Sequence, residues 1–411
     1  MPTTRAWFVV ALLCVVGCLN YLDRIMITTM RGSVVEAIPM TDAQFGLLTA
    51  VFLWTYGLLS PFAGFLADRF SRSRVIVGSL LVWSVVTWLT AHATTYNELL
   101  VTRALMGISE AGYIPAALAL IADYHPGKTR SLATGLHMAG IMIGQSLGFV
   151  GGTLAERYAW NSAFEVFGLF GVGCALVLVF VLHDAPASPG RVQPASRPEK
   201  TNFLTGLRSL FSQPSFILLL LFWGMLGMVG WLIVGWLPTY YKEQFSLSQS
   251  EAGVYATGYI HTASLVGVLL GGFLADRWSL TNGRARVLLP ALGLLVAAPA
   301  VFLASSTPVL GIAVAGFLVY ALTRPFSDAN LMPILCTVAD DRYRATGYGV
   351  LNLFSCVVGG IGIYAGGVLR DAHIDVRILF QIAAVGMVVC AGLLMLVRAR
   401  KQRETLPHLD R

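Results

Sequence analysis

Asp23, Arg24, Arg103, Glu110, Arg324 and Asp328 sit inside stretches of sequence that are otherwise apolar for about twenty residues. Side chains of this kind can bind an anion, carry a proton or neutralise one another. Their spacing separates these roles. Arg103 and Glu110 are seven residues apart, which on a helix is two turns and one face with about 10 Å of rise between them. Arg324 and Asp328 are four apart, the spacing of a pair that can close on itself. Asp23 and Arg24 are adjacent and so point about 100° apart. A guanidinium stays charged and grips carboxylates or phosphates with two parallel bonds. A carboxyl in a low-dielectric cavity has a proton affinity that depends on burial and on nearby charge. Arg24 and Arg103 are therefore candidate anion contacts, and Asp23 and Glu110 candidate proton carriers. The alternative for both groups is an ion-pair network that only holds helices together. His261 lies midway along an apolar run near Tyr255 and Tyr259, and His137 along another. A lone intramembrane His more often makes a packing hydrogen bond than a site.

The elements that carry these residues follow from composition. Of 411 residues, 56% are hydrophobic and 12% charged, about half the roughly 25% charge of a soluble domain. Mean hydropathy is +0.72. A soluble enzyme, a disordered chain and a disulfide scaffold are excluded. A helix needs about 20 mainly apolar residues to cross a bilayer, and twelve such stretches occur near 7–30, 44–67, 75–93, 97–121, 131–154, 162–183, 213–240, 250–275, 286–305, 309–338, 345–369 and 376–397. The expected fold is an all-α bundle of twelve transmembrane helices. An ionisable group at the centre of such a helix costs about 2.5–3.5 kcal/mol on insertion scales, so the six must face protein or a wet cavity.

The net charge of +7 would suggest nucleic acid as a partner in a soluble protein, but the basic residues lie between spans and membrane topology explains them without one. With the N-terminus inside, 20 Lys and Arg fall in inner segments, five (Arg31, Arg157, Lys242, Arg370, Arg377) in outer ones and three within spans. The positive-inside rule then places both termini in the cytoplasm. The first apolar run leads into Asn20-Tyr21-Leu22-Asp23-Arg24 without a small-residue cleavage site, so it reads as a retained span. All six cysteines lie within spans, which argues against disulfides and zinc. No P-loop, zinc-protease or serine-nucleophile motif occurs, and neither an enzyme nor a cofactor is expected.

An internal repeat divides the chain. Gly64-Phe65-Leu66-Ala67-Asp68-Arg69 recurs as Gly272-Phe273-Leu274-Ala275-Asp276-Arg277, and Ala133-Thr134-Gly135 after Arg130 recurs as Ala345-Thr346-Gly347 after Arg344. Residues 185–212 carry Pro186, Pro189, Pro194 and Pro198 among Ser, Arg and Lys, a linker composition. The expected division is a six-helix half over 1–184, a cytoplasmic linker over 185–212, a second half over 213–398 and a tail over 399–411.

Twelve spans, a duplicated Gly-x-x-x-Asp-Arg after spans two and eight, and a basic central linker resemble the major facilitator superfamily. The first copy, Gly64-x3-Asp68-Arg69-x-Ser71-Arg72-x-Arg74, is similar to the family's loop signature with Ser71 in place of a usual Gly. The resemblance implies two pseudo-symmetric halves that rock about a central site. It also implies a conformational lock at Gly64, Asp68, Arg69, Arg72, Asp276 and Arg277, in which the Asp caps a facing helix of the other half.

Asn20-Tyr21-Leu22-Asp23-Arg24 and Arg103-x3-Gly107-x2-Glu110-Ala111-Gly112-x2-Pro115 resemble the anion:cation symporter branch. That resemblance makes Arg24 and Arg103 the attractors of a substrate anion and Asp23 and Glu110 the proton-coupling pair. Tyr21, Tyr56 and Asn352 then line the substrate cavity with His261, and Arg324–Asp328 forms a cavity or gate pair. Ala111 departs from the branch, and Glu110-Ala111-x-Tyr113 is also similar to Spinster-like lipid carriers. Met138 and Ile141 are apolar where sugar-acid carriers place amides. Gly140, Gly144, Gly148, Gly151 and Gly152 read as a close-packing stripe. Trp231, Trp236, Tyr240 and Tyr241 read as interface anchors, and Pro238 permits bending. The function expected is proton-coupled symport of a small organic anion, a carboxylate or sugar acid, across the bacterial inner (plasma) membrane by a monomer. Its alternatives are a carrier of lysophospholipid or another amphiphile, and a membrane sensor that does not transport.

Overall fold

The computed structural model describes residues 4–125, 129–185 and 203–398, with side chains at all of these save 61, 63–68, 203, 204, 341 and 345. Most of the expected linker and the tail, together with the side chains of Asp68 and its neighbours from 63, lie outside the described residues. Among those described, twelve helices are long and apolar enough to cross a membrane: Thr4–Thr29, Asp42–Ser60, Arg72–Thr90, Tyr96–Tyr124, Arg130–Arg157, Trp160–Val181, Pro214–Phe245, Gln249–Ser279, Ala285–Ser306, Leu310–Val338, Thr346–Asp371 and Val376–Leu396. They are spans 1 to 12 below. The near end is the one at which span 1 starts; the far end is opposite.

Several spans are interrupted. Span 4 is a helix over Tyr96–Glu110 followed by one over Tyr113–Tyr124. Pro115 explains the lapse, because it offers no N–H to Ala111 and its ring crowds that carbonyl. Span 10 breaks between Leu310–Thr323 and Phe326–Val338, where Pro325 acts on Ala321 in the same way. Span 8 contains a π-helical segment, Val254–Tyr259, ahead of Ile260–Ser279; such segments are rare and often accompany function.

Small residues let the spans approach. A Cβ on Gly144 would lie 2.1 Å from the Cys18 carbonyl oxygen, so span 5 reaches the backbone of span 1 only because this position lacks a side chain. Between the halves, a Cβ on Gly367 of span 11 would lie 2.2 Å from the Asp42 carbonyl oxygen at the start of span 2.

The halves share a core at the far end, where Met26, Met30, Phe45 and Leu48 of the first half join Trp236, Leu237, Ala252 and Ile363 of the second. At the near end the first half keeps a core of its own, built from Val9, Leu13, Trp83, Tyr113, Leu120 and their neighbours. Polar contacts reinforce the far-end closure. Arg370 donates to Asp42 at 2.9 Å and to Glu243 at 2.8 and 3.0 Å, and Arg31 pairs with Asp42. Asp371 accepts the backbone N–H groups of Asp42 and Ala43 at 2.8 and 3.0 Å, so the second half caps the N-terminus of a first-half helix.

Two expectations need correction. Trp236, Tyr240 and Tyr241 are fully buried and do not anchor the chain at the lipid interface. Tyr240 packs edge-on against Phe317 and Phe380 and donates to the Ala304 carbonyl at 2.6 Å. Trp236 lies between the Arg31 and Arg370 guanidinium groups, 5.9 and 5.3 Å from its ring. The anchor reading failed because aromatic residues near a helix end suit an interface and a packed gate equally well. Part of the expected linker is also helical, over Phe203–Phe211, and packs Gly206 against the Tyr343 ring.

Candidate functional site

The first site is built on spans 1, 2 and 4. Gly107 brings span 4 onto span 2: a Cβ there would lie 2.5 Å from the Phe52 carbonyl oxygen. That approach, with the break after Glu110, sets Glu110 against span 1. Arg24 Nη2 donates to Glu110 Oε2 at 2.9 Å and lies 3.4 Å from Asn20 Oδ1. Three rings enclose the same guanidinium: Tyr21 at 4.3 Å, Tyr56 at 4.5 Å and Phe52 at 4.8 Å. Arg103 stands 4.9 Å from the Phe52 ring and donates to the Leu48 carbonyl at 3.4 Å and to Met106 Sδ at 3.1 Å. Asp23 accepts from the Thr87 hydroxyl at 3.3 Å.

All four charged side chains are buried, at 2% for Asp23, 3% for Arg24 and none for Arg103 and Glu110. Two acids and two bases balance, yet only Arg24 and Glu110 are in direct contact. Among the described residues, Asp23 Oδ1, Glu110 Oε1, Arg24 Nε and Arg103 Nη2 have no hydrogen-bond partner. Such groups are costly in a low-dielectric interior unless something else completes them. The two carboxylate oxygens keep lone pairs without a donor among the described residues. The two arginines expected to touch substrate have almost no exposed surface, and the Tyr21 and Tyr56 rings cover Arg24.

The second site is on spans 8 and 10. Arg324 is the C-cap of Leu310–Thr323 and Asp328 lies in the first turn of Phe326–Val338. Each charge therefore sits at the helix end whose dipole favours it. They pair with each other and keep 21% and 31% of their side-chain surface exposed. A charged pair at mid-span does not face lipid, so this surface opens to the space between the halves. Tyr348 of span 11 lies within electrostatic reach of both Asp328 and Tyr21, which joins the two sites across that space. His261 is buried, its Nε2 unpartnered, and it lies within reach of the Arg324 charge.

Other residues fall elsewhere. His137 sits between spans, its Nδ1 3.2 Å from the Leu13 carbonyl oxygen and its ring beside Tyr113, as a packing residue would. Asn352 is partly buried and makes no side-chain hydrogen bond among those described. Arg72 pairs with Asp123 and donates to the Ala119 carbonyl at 3.2 Å, within its own half. Asp276 is exposed and pairs with Arg286 at 3.2 Å, also within its own half, and Arg277 is exposed. Gly64 lies on the helix Asp42–Arg69. Among the described side chains a cross-half cap is made by Asp371 at the far end; the Asp68 side chain lies outside them. Phe52, missed in the sequence, meets both arginines; its spacing of four from Tyr56, whose ring it stacks on, was the available signal.

The Major Facilitator Superfamily profile matches residues 13–362 and 226–411. The chain belongs to this superfamily. Its twelve apolar helices make it a multi-pass membrane protein, with the family and fold of transporters. A bovine (Bos taurus) protein, "Protein spinster homolog 1", is 31% identical over 72% of this chain and 59% of its own length, so the chain spans about three fifths of that relative. An "MFS-type efflux pump" of Mycolicibacterium smegmatis is 27% identical over 98% of this chain and 95% of its own. A "Probable sulfoacetate transporter SauU" of Cupriavidus necator is 26% identical over 94% and 92%. The crystal structure of a bacterial homolog of the human lysosomal transporter Spinster, inward-facing and occupied, superposes with a TM-score of 0.81 at 23% identity over 97% of each chain. Its unoccupied form gives 0.79 over 97% and 96%. These likenesses establish the fold of this major facilitator.

Proposed function

We propose that the protein is a proton-coupled symporter of a small organic anion, working as a single chain by alternating access. The observation that carries this reading is the buried Arg24–Glu110 contact with an open oxygen on Glu110 and a second on Asp23. With Glu110 ionised, Arg24 is neutralised by it. A proton on Glu110 releases the Arg24 charge to act on an anion in the cavity, so proton and anion favour one another's binding. Arg103 adds a second positive charge with no carboxylate in contact. The far end, closed by Arg370, Asp42 and Glu243, is then the outer face, both termini lie in the cytoplasm, and the state described opens inward. Release of that closure, with Asp68, Arg69, Asp276 and Arg277 serving as the conformational lock of the alternate state, would complete the cycle. The C. necator relative, named for a small organic anion, supports this substrate class.

A second reading is favoured by the Spinster relatives and by the exposed Arg324–Asp328 pair. It is an amphiphile carrier in which both charges of that pair meet a headgroup and the apolar Met138 and Ile141 meet a chain. Proteoliposomes given short carboxylates, sugar acids and lysolipids, with internal pH recorded, decide between them. An anion-evoked pH change lost in Glu110→Gln supports symport. Silence to every short anion with retained lysolipid binding replaces it by the second reading.

A further inference from the structure

A cavity of about 660 Å³ opens at the near end of the second half, away from the central space. Arg284, Arg286 and Arg398 line it with the hydroxyl-bearing Ser279 and Thr337, drawn from spans 8, 9 and 10 and the end of span 12. We propose that this pocket is a binding site for the phosphate of an anionic ligand reached from the membrane surface, a phosphodiester lipid headgroup or a free phosphate. Arg284 Nη2 is fixed on the Met395 carbonyl at 2.8 Å, which aims its remaining donors. The Arg398 backbone N–H is tied to the Ser215 hydroxyl at 3.3 Å, and its side chain makes no bond among those described. Among the described residues one acid pairs with one of these arginines: Asp276, held by Arg286 at 3.2 Å. The pocket thus carries net positive charge, with guanidinium forks suited to phosphate oxygens, while the Ser279 and Thr337 hydroxyls donate to the Asp276 and Ile334 carbonyls. Membrane topology accounts for arginines at this end but not for their convergence on one cavity with two hydroxyls. Leu280 and Leu396, next to Ser279 and Val397 in the chain, are exposed and suit a rim that meets acyl chains.

The test is native mass spectrometry of the full chain in detergent, titrated with phosphatidylglycerol alone and with competing inorganic phosphate. Arg398→Gln removes a side chain that holds nothing, and Arg284→Gln with Arg398→Gln removes two. Each arginine near a membrane surface contributes roughly fivefold to binding of an anionic lipid. The single variant should weaken phosphatidylglycerol about fivefold and the double about 25-fold. Arg157→Gln, at the far end, should change nothing. Competition by millimolar phosphate identifies a soluble ligand, and failure to compete identifies a headgroup; both support the site. Equal phosphatidylglycerol and phosphate binding by wild type, the double variant and the Arg157 control would overturn it.

Discussion

The two halves each place an arginine and a carboxylate at an interrupted span, and treat them in opposite ways. In the first half Arg24 and Glu110 come from different helices, are sealed from the cavity and lean on Tyr21, Phe52 and Tyr56. In the second, Arg324 and Asp328 come from one span, four residues apart on either side of its break, and keep a fifth to a third of their surface open. The difference is one of stakes. A buried pair contributes little net stability when intact, but losing one partner strands a charge. An open pair loses little either way. A coupling device needs the first arrangement, since moving a proton or an anion there changes the energy steeply; a contact that must release its ligand needs the second.

The contrast predicts its largest effect on single-partner removal. Glu110→Ala strands Arg24 and should destabilise the protein by about 3–5 kcal/mol, whereas Asp328→Ala should cost about 1 kcal/mol or less. Thermal unfolding in detergent measures both, and equal losses would break the comparison. A next, smaller effect separates the arginines. Arg24→Lys keeps the charge but loses the planar stacking on three rings, and should cost about 1–2 kcal/mol and impair accumulation of substrate. Arg324→Lys, with no aromatic cage, should cost less than about half of that. If the two replacements are equivalent, the rings around Arg24 are packing and not part of the device.

The same distinction runs between the two ends of the molecule. At the far end Asp371 caps a helix of the other half, while at the near end Asp276 is exposed and bound within its own half. Asp371→Ala removes a cap worth about 1 kcal/mol, enough to shift the closed population about fivefold. Cysteine accessibility at Ser33 on the far side should rise accordingly. Asp276→Ala should leave that accessibility unchanged, and an equal response would mean that the ends are not independently latched.

The spans were legible because each is a run of apolar residues whose length the bilayer dictates. The breaks beside Glu110 and Arg324 fall inside stretches expected to be continuous, 97–121 and 309–338, although Pro115 and Pro325 are their local signal. The Arg24–Glu110 contact could be suspected from residue types, but its pairing, and the burial that separates it from Arg324–Asp328, depend on packing between spans distant in the chain. The Asp371 cap joins residues 329 apart and leaves no local trace. The π-helical turn before His261 has no composition of its own. The helix Phe203–Phe211 was readable and missed: Phe203, Leu207, Leu210 and Phe211 recur at helical spacing, and the prolines before it drew the whole segment into a linker.

The smallest effect concerns a carboxylate that belongs to neither arrangement. Asp184, just beyond span 6, accepts the backbone N–H of Ser73 at 2.8 Å at the start of the helix Arg72–Thr90. Partial burial works against its charged form, but bonds from Ser71 and Ser73 and the Arg72 charge outweigh that and hold its carboxyl below the ordinary range. A folded-state value below the unfolded one means a contribution present above about pH 4 and lost as pH falls through the lower, folded value. Because Asp184 is exposed, solvent screening limits that contribution to a few tenths of a kcal/mol. Asp184→Asn should therefore match wild type in transport, fall slightly below it in stability at pH 7, and converge with it as pH falls through the lowered folded value. A large loss at neutral pH would show that an open carboxylate at a helix start can matter as much as a sealed one, and the contrast between the two halves would then not rest on burial.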